Sequence, residues 1–416
     1  MNTKLEIGKK PNGFSIFLTQ DDWRRHIYSI GKTGTGKSTL LENWMYDQLR
    51  NGGGFCFLDP HGQSAEAIAD AVPRSRTNDV FYIDPSDTER CPGFNVLEDV
   101  SLDLRPKVAA NVVSSLRNIF GSSWGPRMEY ILTNSLRLLL DNPGSTFLGL
   151  PKLLTNNTYR ARLLRHCTDL TVQQFWENEF GHWDKRQQAE AISPIQNKIG
   201  ALLSPPSIRN IIGQKRSTID IPRIMNAGQI LIVNLSKGRL GEDPAHFLGA
   251  LFTTAISQAA EARATIPQNE RRDFTLFVDE FQNFATDSFA TILSEARKYR
   301  LSLVLAHQFL GQVPEALRKA VLGNAGTIIA FRIGAEDAYA IGKELDIEPQ
   351  MLLDLPNFHA FAKVIQQGIP SNGYAIETFP SKLTTGRFKA VQAKSRARHT
   401  RPRVAVEREI ATFLGS

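Results

Sequence analysis

The sequence is poor in cysteine: Cys56, Cys91 and Cys167 are the three thiols among 416 residues, odd in number and far apart. That excludes a disulfide framework and the paired spacing of a zinc site, and it points to reduced thiols. Apolar runs are short. None approaches the roughly eighteen residues that a membrane span requires, and the opening MNTKLEIGKKPNG has no apolar core of a signal peptide. A cytoplasmic protein is the expectation. Low-complexity tracts and internal repeats are also missing, which removes repeat solenoids from consideration. Acidic residues are scarce in one place. Between Lys382 and Arg408, nine basic side chains face Glu407 alone, a local charge of +8, so the net charge of +7 leaves the remainder of the chain at −1. The basic stretch reads equally well as a solvated tail and as an anchor for nucleic-acid phosphates or anionic lipid.

What is present is the composition of an ordinary globular protein, 42% hydrophobic and 22% charged, long enough for one large core and a smaller second unit. Residues 25–30 run apolar into a glycine-rich loop, and residues 38–49 carry leucines and aromatics at helical spacing, which predicts strand, loop and helix. Apolar segments at 54–58 and 80–83 end in DPHG and DP and predict two further buried strands. From about residue 101 the pattern changes to helix after helix, as at 106–120, 126–140 and 186–203. It returns to strands at 229–234, 274–278, 301–306 and 327–331, and a hairpin over 358–365 and 374–379 closes the series. The expected fold class is therefore α/β, with a mainly parallel sheet whose sequence is interrupted by an inserted all-α domain. The expected boundaries are 1–100 and 226–380 for the two parts of the nucleotide-binding domain, 101–225 for the insertion and 381–416 for a basic tail.

The chemistry is concentrated at the ends of these strands. Gly31-Lys-Thr-Gly-Thr-Gly-Lys-Ser38 fits the pattern G-x-x-x-x-G-K-[ST] in the strand-to-helix setting that the pattern requires. Its glycines let backbone N–H groups wrap phosphates at a helix N-terminus. Gly31, Thr33, Gly34, Thr35, Gly36, Lys37, Ser38 and Thr39 are the expected ATP contacts, with Lys37 reaching the β- and γ-phosphates and Ser38 ligating Mg²⁺. The run Thr275-Leu-Phe-Val-Asp279-Glu280 supplies an acidic pair after a strand: Asp279 for the Mg²⁺ shell and Glu280 to polarise the attacking water. Gln308, at the end of another strand, is placed either to sense the γ-phosphate and position water or simply to leave the strand. Arg297 lies in a cationic helix end, where dipole pairing with solvated charge is the ordinary reading.

The order of GKTGTGKS, LDPHG, LFVDE, SEARKYR and LVLAHQ along the chain resembles that of the HerA/FtsK superfamily. Within it the chain looks most like the conjugative coupling proteins of type IV secretion systems, the TraD/TraG-like DNA pumps. The resemblance runs from about Arg25 to Phe379 and includes the all-α insertion. It implies a RecA-like P-loop NTPase core, a homo-oligomer that forms a hexameric ring, and ATP-driven movement of DNA through a central channel. It further implies Lys37 and Ser38 as the Walker A pair, Asp279 and Glu280 as the Walker B pair, Gln308 as the sensor glutamine, and Arg297 as an arginine reaching a neighbouring subunit's nucleotide. Asp59 and His61 fall on the family's acidic strand end near the nucleotide. Thirty residues precede Gly31, fewer than a pair of membrane spans needs, so the expectation is a member without its own transmembrane segment. Such a member would sit peripherally at the inner membrane through relaxase and secretion-channel partners. A HerA-like DNA-processing translocase and a protein-secretion or assembly ATPase with a polypeptide client are the alternatives.

Overall fold

Short apolar segments that are buried on both faces cannot alternate in polarity, and here they form the parallel centre of one sheet. The computed structural model describes residues 4–284, 287–366 and 368–415. The strands of the main sheet are β1 (Leu5–Lys9), β2 (Ser15–Leu18), β3 (Ile27–Ile30), β4 (Gly54–Asp59), β5 (Val80–Ile83), β6 (Ile230–Asn234), β7 (Phe274–Val278), β8 (Leu301–His307), β9 (Thr327–Ala330), β10 (His359–Gln366) and β11 (Tyr374–Glu377). They lie in the order β2-β1-β11-β10-β9-β3-β8-β7-β4-β6-β5, and a two-residue strand, Ile369–Pro370, pairs with β10 off this path. From β9 to β5 every pairing is parallel. The pairings from β9 through β10, β11 and β1 to β2 are antiparallel. The seven strands expected from apolar runs are the seven parallel ones, and the expected hairpin is β10–β11. The N-terminal hairpin β1–β2, which extends the antiparallel edge, was not anticipated.

The residues divide into two compact units. One takes the described residues of Met1–Ile83, Ile221–Ser236 and Ile256–Ser395, and the other those of Asp84–Asp220, Lys237–Ala255 and Arg396–Ser416. In the sheet unit, the helix Lys37–Asn51 is fixed by its tryptophan and glutamine. Trp44 packs edge-on against Trp23 with ring centroids 5.4 Å apart, and its indole N–H donates to Glu6 O at 3.0 Å. Gln48 Nε2 and Trp23 Nε1 both donate to Thr275 Oγ1, at 3.1 and 3.0 Å, so the helix that follows the glycine loop is tied to β7.

The helical unit contains Arg105–Phe120, Pro126–Leu140 and Lys185–Leu203, close to the expected spans, together with shorter helices. It is larger than the 101–225 block read from the pattern. Phe252 and Phe247, on the helix Glu242–Glu261, pack on Phe94 and Phe147 at centroid distances of 4.3 and 5.2 Å, which draws later chain into this unit.

The basic stretch is folded rather than a solvated tail. Residues Phe388–His399 and Arg403–Gly415 are helices. In the sheet unit, Asp70 caps the first of these by accepting the N–H groups of Gly386, Arg387 and Phe388 at 2.9, 2.7 and 2.6 Å. Ser395 Oγ in turn accepts from Tyr82 N at 2.8 Å. In the helical unit, Arg396 pairs with Asp87 and Glu89, Arg401 with Glu409 and Arg403 with Glu407. These carboxylates already neutralise several of the cations that a phosphate anchor would need. Among the described residues, no helix is long and apolar enough to cross a membrane, and the three cysteines are buried free thiols.

Candidate nucleotide site

Parallel strands place all their C-terminal ends on one side of the sheet, so residues far apart in sequence gather where β3, β8, β7 and β4 stop. The loop after β3 is shaped for backbone. Gly34 and Gly36 have φ of +77° and +116°, a region that side chains disfavour. A Cβ on Gly36 would lie 2.9 Å from Phe358 Cδ1, and one on Gly31 would lie 2.6 Å from Phe331 Cβ. Lys32, Thr33 and Gly34 are exposed at the crest, Thr35 is buried with its hydroxyl donating to Lys32 O at 2.7 Å, and Thr39 lies half-buried on the helix. The helix Lys37–Asn51 begins directly from the loop, so its first N–H groups have no intrahelical acceptor and favour an anion.

Lys37 folds back over this loop, donating to Gly31 O at 2.6 Å and Lys32 O at 3.0 Å. Burial pushes its pKa below the ordinary lysine value, against the pull of Asp279 and Glu280. Ser38 Oγ donates to Asp279 Oδ2 at 2.8 Å, joining the loop helix to the end of β7. Asp279 is buried, which raises its pKa despite the hydroxyl and Lys37. A hydroxyl and a carboxylate held together beside a lysine are the oxygen donors that Mg²⁺ prefers. The glycine cradle and this donor set therefore fit a magnesium-bound nucleoside triphosphate.

Glu280 stands at the meeting point of three strand ends. Its backbone is left-handed, with φ 46° and ψ 54°, an uncommon state for a side-chain-bearing residue. Oε1 accepts from Gln308 Nε2 at 2.7 Å and lies 3.0 Å from His61 Nε2. Asn283 Nδ2 donates to Oε2 at 3.4 Å. The His61 hydrogen bond, reinforced by its charge and by Gln308 and Asn283, outweighs burial and pulls the Glu280 pKa down to about 2. The same bond raises His61 above the usual imidazole value. Because β8 lies between β3 and β7, Gln308 reaches the acid rather than leaving the strand for solvent.

Asp59, at the end of β4, is almost wholly buried and holds its own loop together. Oδ1 accepts His61 N at 2.9 Å and Oδ2 accepts Ala65 N at 2.8 Å. His307 is also buried, beside Tyr28 Oη at 3.1 Å from Nδ1, and burial lowers its pKa to about 3. The roles of His61 and Asn283 around Glu280 were not visible in the sequence, although the LDPHG strand end marked the loop.

Arg297 is not brought to this cluster. It sits in the turn Ala296–Tyr299 before β8, at the opposite end of the sheet, half-exposed and 3.8 Å from Asp21 Oδ2. The seven-residue strand β8 separates the two positions by about 20 Å. Within one chain the arginine cannot touch a nucleotide bound at Lys37.

A largely parallel sheet with a glycine phosphate loop on one strand, an acidic pair two strands away and a glutamine between them defines the RecA-like P-loop NTPases. The chain belongs to the family of the type IV secretion-system coupling protein DNA-binding domain, which it matches over residues 14–341. It is similar to the type 4 coupling protein DotL of Legionella pneumophila, 20% identical over 460 residues that cover 95% of this chain and 55% of that protein. The chain thus spans about half the length of this curated relative. The fold is shared with the bacterial conjugative coupling protein TrwBdeltaN70, at TM-score 0.65 and 15% identity over 89% of this chain and 88% of that one. Plasmid coupling protein TrwB in complex with ADP and Mg2+ matches at TM-score 0.64 and 15% identity, over 90% of each chain. VirB4 of Thermoanaerobacter pseudethanolicus matches at TM-score 0.62 and 13% identity, over 91% of this chain and 97% of that one.

Proposed function

We propose that this protein is an ATP-hydrolysing motor that moves DNA in conjugation or type IV secretion. The observation that carries this reading is the convergence of Lys37, Ser38, Asp279, Glu280 and Gln308 on one end of the sheet, joined by the 2.8 Å Ser38–Asp279 and 2.7 Å Gln308–Glu280 hydrogen bonds. The loop from Gly31 to Thr39 holds the triphosphate, with Lys37 released from Gly31 O and Lys32 O to the phosphate oxygens. Ser38 and Asp279 hold Mg²⁺, which when bound offsets the negative charge of the phosphates. Glu280 orients and polarises water, and Gln308 ties Glu280 to the next strand. DNA as client follows from the family, whose domain is described as DNA-binding. A hexameric ring, in which Arg297 of one subunit meets the nucleotide of the next, accounts for an arginine so far from its own phosphate loop. Two domains, a RecA-like motor and a helical insertion, peripheral attachment at the inner membrane, and relaxase and channel partners complete the reading.

The test is ATP turnover with no DNA, single-stranded DNA and duplex DNA, at two salt concentrations. Stimulation that weakens at the higher salt is expected, because phosphate contacts release counterions. Turnover indifferent to both DNAs at both salts would transfer the motor to a polypeptide client.

A further inference from the structure

We propose that His61 is a positioning residue for hydrolysis: together with Gln308 it holds one oxygen of Glu280, leaving the other to engage the attacking water. The inference rests on the motor reading above and assigns a task to a side chain outside the two Walker motifs. Two donors from two different strand ends share Oε1, Gln308 Nε2 at 2.7 Å and His61 Nε2 at 3.0 Å, whereas among the described residues Oε2 has the single long 3.4 Å contact from Asn283. A glutamate has three side-chain torsions, and a base must lie within hydrogen-bond reach of the proton it takes. Fixing one oxygen removes that freedom before any water arrives.

The loop that delivers His61 is itself rigidly specified. Asp59 Oδ1 accepts the His61 backbone N–H at 2.9 Å, and Asp59 Oδ2 holds Ala65 N at 2.8 Å. Gly62 follows with φ +88°, and a Cβ there would come within 2.5 Å of Asn234 Oδ1 on the neighbouring strand β6. The imidazole is therefore aimed from a scaffold of two adjacent strands. Glu280 needs such support, because a left-handed backbone at a non-glycine residue persists only where its surroundings over-determine it. His61 is also the half-exposed member of the pair, at 55% against 14% for Glu280, so its replacement leaves no cavity in the core.

The experiment compares steady-state ATPase kinetics of the full chain with those of His61→Ala, His61→Gln, Glu280→Gln and the double variant His61→Ala/Glu280→Gln. Melting temperature and affinity for a fluorescent ATP analogue are measured alongside. His61→Ala should lower kcat on the order of tenfold, a part of the 10²–10⁴ that a placed general base contributes, with KM and analogue affinity unchanged. His61→Gln, whose amide nitrogen occupies the place of Nε2, should restore most of the loss. In the Glu280→Gln background, His61→Ala should have no further effect, because both substitutions act through one group. Wild-type kcat in His61→Ala, a loss confined to KM, failure of the glutamine to rescue in a folded variant, or full additivity in the double variant would each overturn the inference while leaving the motor intact. A wild-type chain that binds nucleotide without turning it over would overturn both.

Discussion

The two ends of the parallel sheet are built from the same strands but treat polar side chains in opposite ways. At the C-terminal end, groups from different strands bind one another: Ser38 to Asp279, and Gln308 and His61 to Glu280. At the N-terminal end, cations close the sheet. Arg24 grips Asp273 with two bonds of 2.7 Å, and Arg263 donates to Arg272 O and Tyr299 O at 2.9 and 3.1 Å. The first arrangement leaves an exposed loop and hydroxyl beside buried carboxylates, ready for a polyanion with its metal. The second consumes its charges in place. Chemistry belongs to one end and mechanical closure to the other, unless Arg297 breaks that division.

The largest expected effect tests that exception. Arg297→Ala should bind ATP and assemble, yet lose turnover roughly a thousandfold, the order of effect of an arginine finger. Since its own phosphate loop is out of reach, mixing this variant with Lys37→Ala should recover part of the activity through interfaces that are intact on both sides. Unchanged turnover in Arg297→Ala alone would make the arginine one more closing cation, paired with Asp21. Next in size is Glu280→Gln, which should keep ATP binding and lose turnover by about a hundredfold or more, because an amide cannot accept the proton. Loss of nucleotide affinity there would give Glu280 a structural place instead.

A smaller effect compares the two ends through one histidine at each. His26, before β3, accepts Leu303 N–H at 3.1 Å on Nδ1, and burial lowers its pKa to about 4, as it lowers that of His307 to about 3. Above the unfolded value of about 6.5, both are neutral in either state and pH has no leverage through them. As pH falls below that, the unfolded chain takes up protons that the folded chain refuses. Stability should then decline by up to about 1.4 kcal/mol per pH unit for each histidine until their folded values are reached. A urea midpoint that stays constant from pH 7 to pH 5 would contradict this. Smallest of all, Arg24→Ala should cost about 1–2 kcal/mol of stability through the lost bidentate pair and leave kcat untouched. A fall in kcat would show that the closing end communicates with the site.

The parallel strands were legible in the sequence because burial on both faces leaves an unbroken apolar run such as ILIV or LVLA. The hairpin β1–β2 was not, since LEIGK and SIFL each bury only some of their residues and sit among polar neighbours. The basic C-terminal stretch misled for a related reason. Its few anchors, Val391, Ser395, Val406 and Ile410, are buried, but their spacing is masked by basic residues, and the partners of Arg396, Asp87 and Glu89, lie some three hundred residues earlier. Within the site, the phosphate loop and the acidic pair are local patterns and could be read directly. The meeting of His61, Gln308 and Glu280 depends on β4, β7 and β8 being neighbours, which no local pattern encodes.

The strand order also carries a consequence for how the chain is made. β3, which bears the phosphate loop, is flanked by β8 and β9, both more than 250 residues later, and β5 waits about 150 residues for its neighbour β6. On a ribosome that adds roughly 5–20 residues per second, β3 spends on the order of ten seconds or more with both edges open. The glycine loop is thus synthesised early and seated late, and the nascent chain exposes aggregation-prone strand edges throughout that interval.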